Sequence, residues 1–328
     1  MKAAVVFNPL RPFILRPSPV IPILSSSPIL VIDSGLGGLT VVRALQKTLP
    51  REEIAYFGDT ARLPYGSKSA DTVTTFVRQI IEYALPLRPK HVVIACNTAT
   101  ALALTALRPL FPGLNISGVI EPGARAAIEA AGAKEQPIIG IIATEATVHS
   151  KAYDRAILRR RNHARVLLRP SPLLVPIIEE GRTLDDPLVK LALKQYLYPL
   201  LKRNIDVLVL GCTHYPILKP VIQQIVGNAV RVIDSAERCA DDVARRLTTA
   251  GLLRNEPTVQ SGFSAEAVAL DALGATRAAL RCFVTDNAPR FKLLATRFLG
   301  VEIDEPTLVS PDDLYAPPVA SRPIRQAG

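Results

Sequence analysis

Tryptophan is absent from the 328 residues, and all aromatic residues together make up 5%. That scarcity argues against single-stranded nucleic-acid recognition, which stacks bases on aromatic side chains. Cysteine is sparse too: Cys96, Cys212, Cys239 and Cys282 are widely spaced and form no CxxC pair. Neither a disulfide scaffold nor a zinc ribbon fits such spacing. Isolated thiols suit a reducing compartment, so a cytoplasmic location is expected. No run reaches the roughly 20 apolar residues needed to cross a bilayer, and no membrane partner is expected. Residues 1–28 contain six prolines. Proline at that density interrupts the apolar region of a signal peptide, and the stretch reads as a Pro-rich N-terminal extension.

Apolar residues make up 48% of the chain, enough for two ordinary domains with their own cores. The net charge of +10 invites a nucleic-acid reading. Its distribution weakens that reading, because Arg159, Arg160 and Arg161 form the one tight basic run. A solvated helix face explains that run, and a protein handling small anions would show the same balance.

Strand and helix signals alternate along the chain. ILVID (29–33), EIAYFGD (53–59), HVVIAC (91–96), ISGVI (116–120), PIIGIIAT (137–144), residues 165–168, DVLVLG (206–211) and RVID (231–234) read as strands. Helical segments follow most of them, including one expected to run through Lys151 to Arg159 and another over about 186–202. Such alternation predicts an α/β fold with mainly parallel sheets. The two halves also resemble each other: VVIACNTATALAL parallels VLVLGCTHYPIL, and ILVIDSG parallels PIIGIIATEAT. Cys96 lies 63 positions beyond Asp33, and Cys212 lies 68 beyond Thr144. Two pseudo-symmetric α/β domains, each presenting a strand-end cysteine to a shared cleft, are the simplest architecture.

Ligands of open α/β sheets bind beyond the carboxyl ends of the strands. Cys96 and Cys212 fall there, each ahead of a predicted helix whose N-terminal amides would lower a thiol's pKa. Two matched thiols suggest a proton taken from one face of a carbon and returned to the other. His214, after Thr213, is placed to tune Cys212 or to hold a substrate carboxylate. A CxH pair could also be part of a metal site, but no further ligands lie at zinc spacing, and no metal is expected. Gly35-Leu36-Gly37-Gly38 approximates a dinucleotide loop, with Asp59 where a ribose-binding acid would fall. Position 40 is threonine where that motif needs its third glycine. Asp33 is then free to meet a substrate ammonium, to orient a proton relay, or to cap a helix.

DSGLGGLTV, YFGDTARLPYGSKS, VVIACNTATALAL, GVIEPGARAA, LGCTHYPIL and VIDSAE occur in that order. With them the chain, over roughly residues 29–300, closely resembles the glutamate racemases of the aspartate/glutamate racemase superfamily. The resemblance implies interconversion of L- and D-glutamate without a cofactor, supplying D-glutamate for peptidoglycan. It makes Cys96 the base facing the D-enantiomer and Cys212 the base facing the L-enantiomer, assisted by Asp33 and His214 respectively. Glu179, beside Glu180, matches an acid supporting the second half-site. Asp33-Ser34, Tyr65-Gly66, Asn97-Thr98 and Thr213-His214 match substrate-binding pairs. ATEAT (143–147) departs from the usual string near the substrate. The resemblance further implies a first domain of 29–119 plus 234–300 and a second of 120–233, while the proline-rich stretch 301–328 reads as a flexible tail. A homodimer, activation by a UDP-linked peptidoglycan precursor and binding to DNA gyrase are the partners it suggests. Aspartate or hydantoin racemase is the neighbouring alternative.

Overall fold

The apolar runs become strands because burial on both faces rewards continuous Val, Ile and Leu, the signature of parallel sheets covered by helices. The computed structural model describes residues 23–255 and 279–315; residues 1–22, the first part of the Pro-rich extension, lie outside them, as do 256–278 and 316–328. In chain order the strands are β1 (Ile29–Asp33), β2 (Ile54–Gly58), β3 (His91–Ile94), β4 (Ile116–Gly118), β5 (Ile138–Ala143), β6 (Arg165–Pro170), β7 (Val207–Gly211), β8 (Arg231–Asp234), β9 (Leu280–Val284) and β10 (Thr307–Leu308). Every position of β1, β2, β3 and β7 is buried.

Two sheets result, one of six strands in the order β10-β9-β2-β1-β3-β4 and one of four in the order β6-β5-β7-β8. All pairings are parallel. The core of the first sheet, β2-β1-β3-β4, therefore repeats the order of the second. β1 corresponds to β5, and β3 corresponds to β7. In each sheet the order reverses between those two strands, and the crevice at such a reversal is where α/β folds take ligands.

One apolar core joins Val31 and Tyr56 of the first sheet to Leu208 and Leu210 of the second, through the helices Leu39–Thr48 and Ala236–Thr249. The far face of the first sheet is covered by helices Ala70–Ala84 and Asn97–Leu107, and that of the second by Ile120–Ala131 and Ala152–Leu158. The basic run is locally paired: Arg159 and Arg160 meet Glu121, and Arg161 donates to the carbonyls of Gly132 and Lys134. A structural role thus accounts for it without a polyanion.

Two expectations need correction. The helix expected through Lys151 is two helices, Glu145–His149 and Ala152–Leu158, divided where Lys151 takes φ 51°. Ser150 explains the break, since its hydroxyl donates to Thr147 O (2.7 Å) and accepts from Ala152 N (3.2 Å) in place of helical partners. Nor is the C-terminal segment mobile throughout: β10 pairs with β9, and Val309 and Leu314 are buried against the first sheet's outer helices. Deleting a buried leucine side chain costs about 2–5 kcal/mol. Leu314→Ala should therefore lower stability by about that amount, read by urea denaturation. An unchanged midpoint would mean that residues 309–315 add nothing to the core.

Candidate active site

β3 delivers Cys96 to the crevice. Its backbone is extended (φ −61°, ψ 122°) at the N-cap of helix Asn97–Leu107, and its carbonyl accepts from Thr100 N at 2.8 Å. The thiol donates to Ser34 Oγ at 3.7 Å. The expectation that helix amides lower this thiol's pKa is corrected by its surroundings. Burial dominates, the charge of Asp33 adds to it, and the amide of Ala99 and the Ser34 hydroxyl only partly offset them, so the thiol is pushed up to about 12. Asp33, the last residue of β1, is itself raised by complete burial. His214 and hydrogen bonds from Gly35 N, Gly38 N and the Thr213 hydroxyl pull the other way. The carboxylate lies near the N-terminus of helix Leu39–Thr48, but that helix has no side-chain cap, so the capping reading of Asp33 falls away.

β7 delivers Cys212 to the same crevice in a different setting. Past this cysteine the chain turns, enters the short 3-10 segment Tyr215–Leu218, and becomes α-helical only from Lys219. Helix amides are therefore not its partner; His214 is, with Nδ1 3.8 Å from Sγ. The other ring nitrogen lies 2.9 Å from Glu179 Oε1. Glu180 instead turns outward to Arg182 (2.8 Å), which separates the two adjacent acids. Burial would lower the His214 pKa, but its hydrogen bonds to Cys212 and Glu179 outweigh that and lift it to about 10. An imidazolium there would set a positive charge beside the Cys212 sulfur.

The two half-sites close on each other tightly. A Cβ placed on Gly37 would fall 2.3 Å from Thr213 Oγ1 and 2.5 Å from His214 Nδ1, so only glycine allows this approach. Thr213 donates to Asp33 Oδ1 (3.4 Å), and Thr40 donates to the Thr213 carbonyl (3.1 Å). Thr98 meets Thr144 (2.8 Å) and Thr147 (3.2 Å) from the other sheet's layer. Tyr153 donates to Asn97 Oδ1 at 2.8 Å. Each thiol is 6% exposed, and a charge on Cys212 would disfavour a charge on Cys96. Two buried thiols with separate proton partners thus share one water-poor crevice.

The family model described as Asp/Glu/Hydantoin racemase matches residues 29–243. The chain belongs to that family. It is 39% identical to a glutamate racemase of Chlorobaculum tepidum, over 87% of this chain and 97% of that one. Among solved structures, a Francisella tularensis glutamate racemase in complex with D-glutamate matches with a TM-score of 0.74 at 33% identity, covering 88% of this chain and 98% of that one. An Escherichia coli glutamate racemase in complex with L-glutamate and the activator UDP-MurNAc-Ala matches with a TM-score of 0.62 at 29% identity, covering 83% and 95%.

Most of the site residues expected from this racemase-family sequence converge. Asp33, Ser34, Cys96, Cys212, Thr213, His214 and Glu179 form one connected network. Asn97 and Thr98 adjoin it, and Gly66 packs against Thr144, where a Cβ would meet Thr144 Cβ at 2.9 Å. Tyr65 differs: its hydroxyl donates to Asp59 and its ring is buried against Phe76, leaving the main chain as what it can offer a ligand. Asp59 is also held by Arg62 (2.8 Å) and Thr285 (3.0 Å), so it cannot serve a ribose. Gly38 faces the Asp33 side chain and Gly37 faces Thr213, which removes the dinucleotide-loop reading on steric grounds.

Thr144 and Thr147, from the ATEAT string, adjoin the site through Thr98, and Tyr153 joins it with no motif to announce it. The internal repeat holds the signal for Thr144, because β5 corresponds to β1 and Thr144 follows β5 as Ser34 follows β1. A raised imidazole pKa stabilises the fold fully below the unfolded value near 6.5, and that stability is lost as pH rises through about 10. The His214 ring should still be protonated at pH 8 in an NMR titration of the full chain. Glu179→Gln should move its titration downward and shift the alkaline loss of stability the same way. A titration unmoved by Glu179→Gln would refute the assigned pairing.

Proposed function

We propose that this chain interconverts L- and D-glutamate by two-base proton transfer at Cα, supplying D-glutamate for peptidoglycan in the cytoplasm. The supporting observation is the placement of Cys96 and Cys212 at equivalent strand ends of one crevice, each with its own proton partner. Substrate identity draws on the glutamate racemases of C. tepidum and F. tularensis, the latter in complex with D-glutamate. Among the described residues, no helix is long and apolar enough to cross a membrane.

In the forward direction a Cys212 thiolate, paired with the His214 imidazolium, removes the Cα proton of L-glutamate. Cys96, held as a neutral thiol by burial and by Asp33, delivers its proton to the opposite face. The S–H bond of Cys212 forms as the Cα–H bond breaks; the new Cα–H bond forms as the S–H bond of Cys96 breaks. D-Glutamate reverses both transfers. Backbone and side-chain donors in the closed crevice, including Asn97 and Thr98, hold the substrate and oppose charge developing on its carboxylate. Water exclusion makes those fixed dipoles effective.

Racemisation of L-glutamate by the full chain in D2O, with no cofactor added, should abolish the circular dichroism signal while deuterium enters Cα. Cys96→Ser and Cys212→Ser should each lose roughly 10²–10⁴-fold in rate, the scale of a lost acid or base. Full racemase activity in either variant would sink the two-thiol mechanism. Inertness with glutamate but turnover of aspartate in a substrate panel would replace the substrate.

The activator in the E. coli complex extends the proposal to a UDP-linked peptidoglycan precursor as a regulatory ligand. UDP-N-acetylmuramoyl-L-alanine should then raise kcat/KM of the full chain. Kinetics indifferent to that compound would remove it as a partner.

A further inference from the structure

We propose that Tyr153 is a positioning residue, one that orients the side-chain amide of Asn97 for a substrate carboxylate. Asn97 immediately follows Cys96, at the first turn of the helix after β3. Tyr153 comes from the other sheet's layer, in helix Ala152–Leu158, and its hydroxyl reaches Asn97 Oδ1 at 2.8 Å. Ser235, just beyond β8, lies beside this phenol. With Tyr153 donating to Oδ1, the N–H₂ of the amide is turned away from the phenol.

The far end of that amide is left open. Asn97 is 2% exposed, and among the described residues its Nδ2 has no hydrogen-bond partner. Leaving a buried N–H₂ unpaired is costly, and native proteins rarely do so without a use. An anionic oxygen at this position would satisfy it. The reverse amide orientation would present Oδ1 instead, and a buried carbonyl oxygen repels a carboxylate. Tyr153 therefore decides whether Asn97 attracts or repels the substrate.

Packing fixes Tyr153 in turn. Its side chain is 1% exposed. A Cβ on Gly123 would lie 3.1 Å from both the Tyr153 hydroxyl and Ser235 Cβ, so the helix Ile120–Ala131 closes over this pair. Thr98, the next residue, is anchored independently by Thr144 and Thr147. Removing the Tyr153 hydroxyl thus frees the Asn97 amide without detaching the helix that carries Cys96.

This inference rests on the reading of Asn97 as a substrate contact, and the two can fail separately. Steady-state racemisation in both directions would be compared for the full chain, Tyr153→Phe, Asn97→Asp, Asn97→Ala and the Tyr153→Phe/Asn97→Ala double variant. A lost hydrogen bond to a charged group is worth about tenfold or more in affinity. Tyr153→Phe should raise KM for both enantiomers by about that factor, with kcat changed by less than about threefold. In the Asn97→Ala background, Tyr153→Phe should add nothing, because residues acting as a unit are not additive. Wild-type KM in a folded Tyr153→Phe protein, with KM raised in Asn97→Ala, would overturn the inference and leave the substrate contact standing. Additive effects in the double variant would overturn it too. Unchanged KM in Asn97→Ala would instead remove the contact on which it rests. Should Tyr153→Phe fail to fold, unchanged KM in Asn97→Asp, which puts an oxygen where Nδ2 stands, is the overturning result.

Discussion

The approach of Gly37 to Thr213 and His214 is the contact on which the site depends. It joins the loop after β1 to the turn after β7, so the ends of two separate sheets meet with no side chain between them. Thr213 can then donate to Asp33, and Thr40 can hold the Thr213 carbonyl. Asp33 is completely buried beside that turn. Its burial in turn raises its own pKa and, through its charge, contributes to raising that of Cys96. A larger residue at position 37 would clash with Thr213 and His214 and force the two strand ends apart.

The scaffold is nearly symmetric, but the chemistry mounted on it is not. Strand orders β2-β1-β3-β4 and β6-β5-β7-β8 place both cysteines at equivalent positions. At Cys96, burial and the charge of Asp33 favour a neutral thiol, and the Ser34 hydroxyl offsets them only in part. At Cys212 the neighbour is an imidazole anchored by Glu179, whose peptide carbonyl is held in turn by Arg290 at 3.0 Å. In the proposed reaction, symmetry would supply the opposed faces and asymmetry the difference between proton donor and proton acceptor. A strictly symmetric pair of buried thiols would offer two acids and no base.

Much of this is legible in the chain because strand ends leave a strong mark. Buried parallel strands are continuous apolar runs, and the polar residues after them mark the crevice. Cys96, Cys212, Asp33 and His214 are therefore identifiable from position alone. The choice between Glu179 and Glu180 is not, since it depends on which side chain a short helix turns inward. The thiol pKa escapes the sequence for a related reason: helix amides are local and readable, whereas burial is a property of the closed fold. Residues 309–315 are hidden by their own composition, a polar, proline-containing stretch in which Val309 and Leu314 alone do the packing. Tyr153 carries no motif; only the folded chain brings it to Asn97.

Burial of this degree looks unfavourable for a thiol that must ionise, and the resolution lies in the substrate. The amino acid of the proposed reaction carries an ammonium group adjacent to Cα, and it enters the same water-poor crevice. A unit positive charge about 4 Å from a thiolate is worth about 4 kcal/mol at an effective dielectric near 20, against about 1 kcal/mol in water. That is roughly three powers of ten in ionisation. It would return a thiol held at about 12 to the ordinary range of cysteine once substrate is bound. The low-dielectric surroundings that suppress ionisation in the free protein are the same ones that let a bound cation restore it. In the proposed reaction the closed crevice would keep Cys96 protonated until substrate supplies the charge that lowers its pKa.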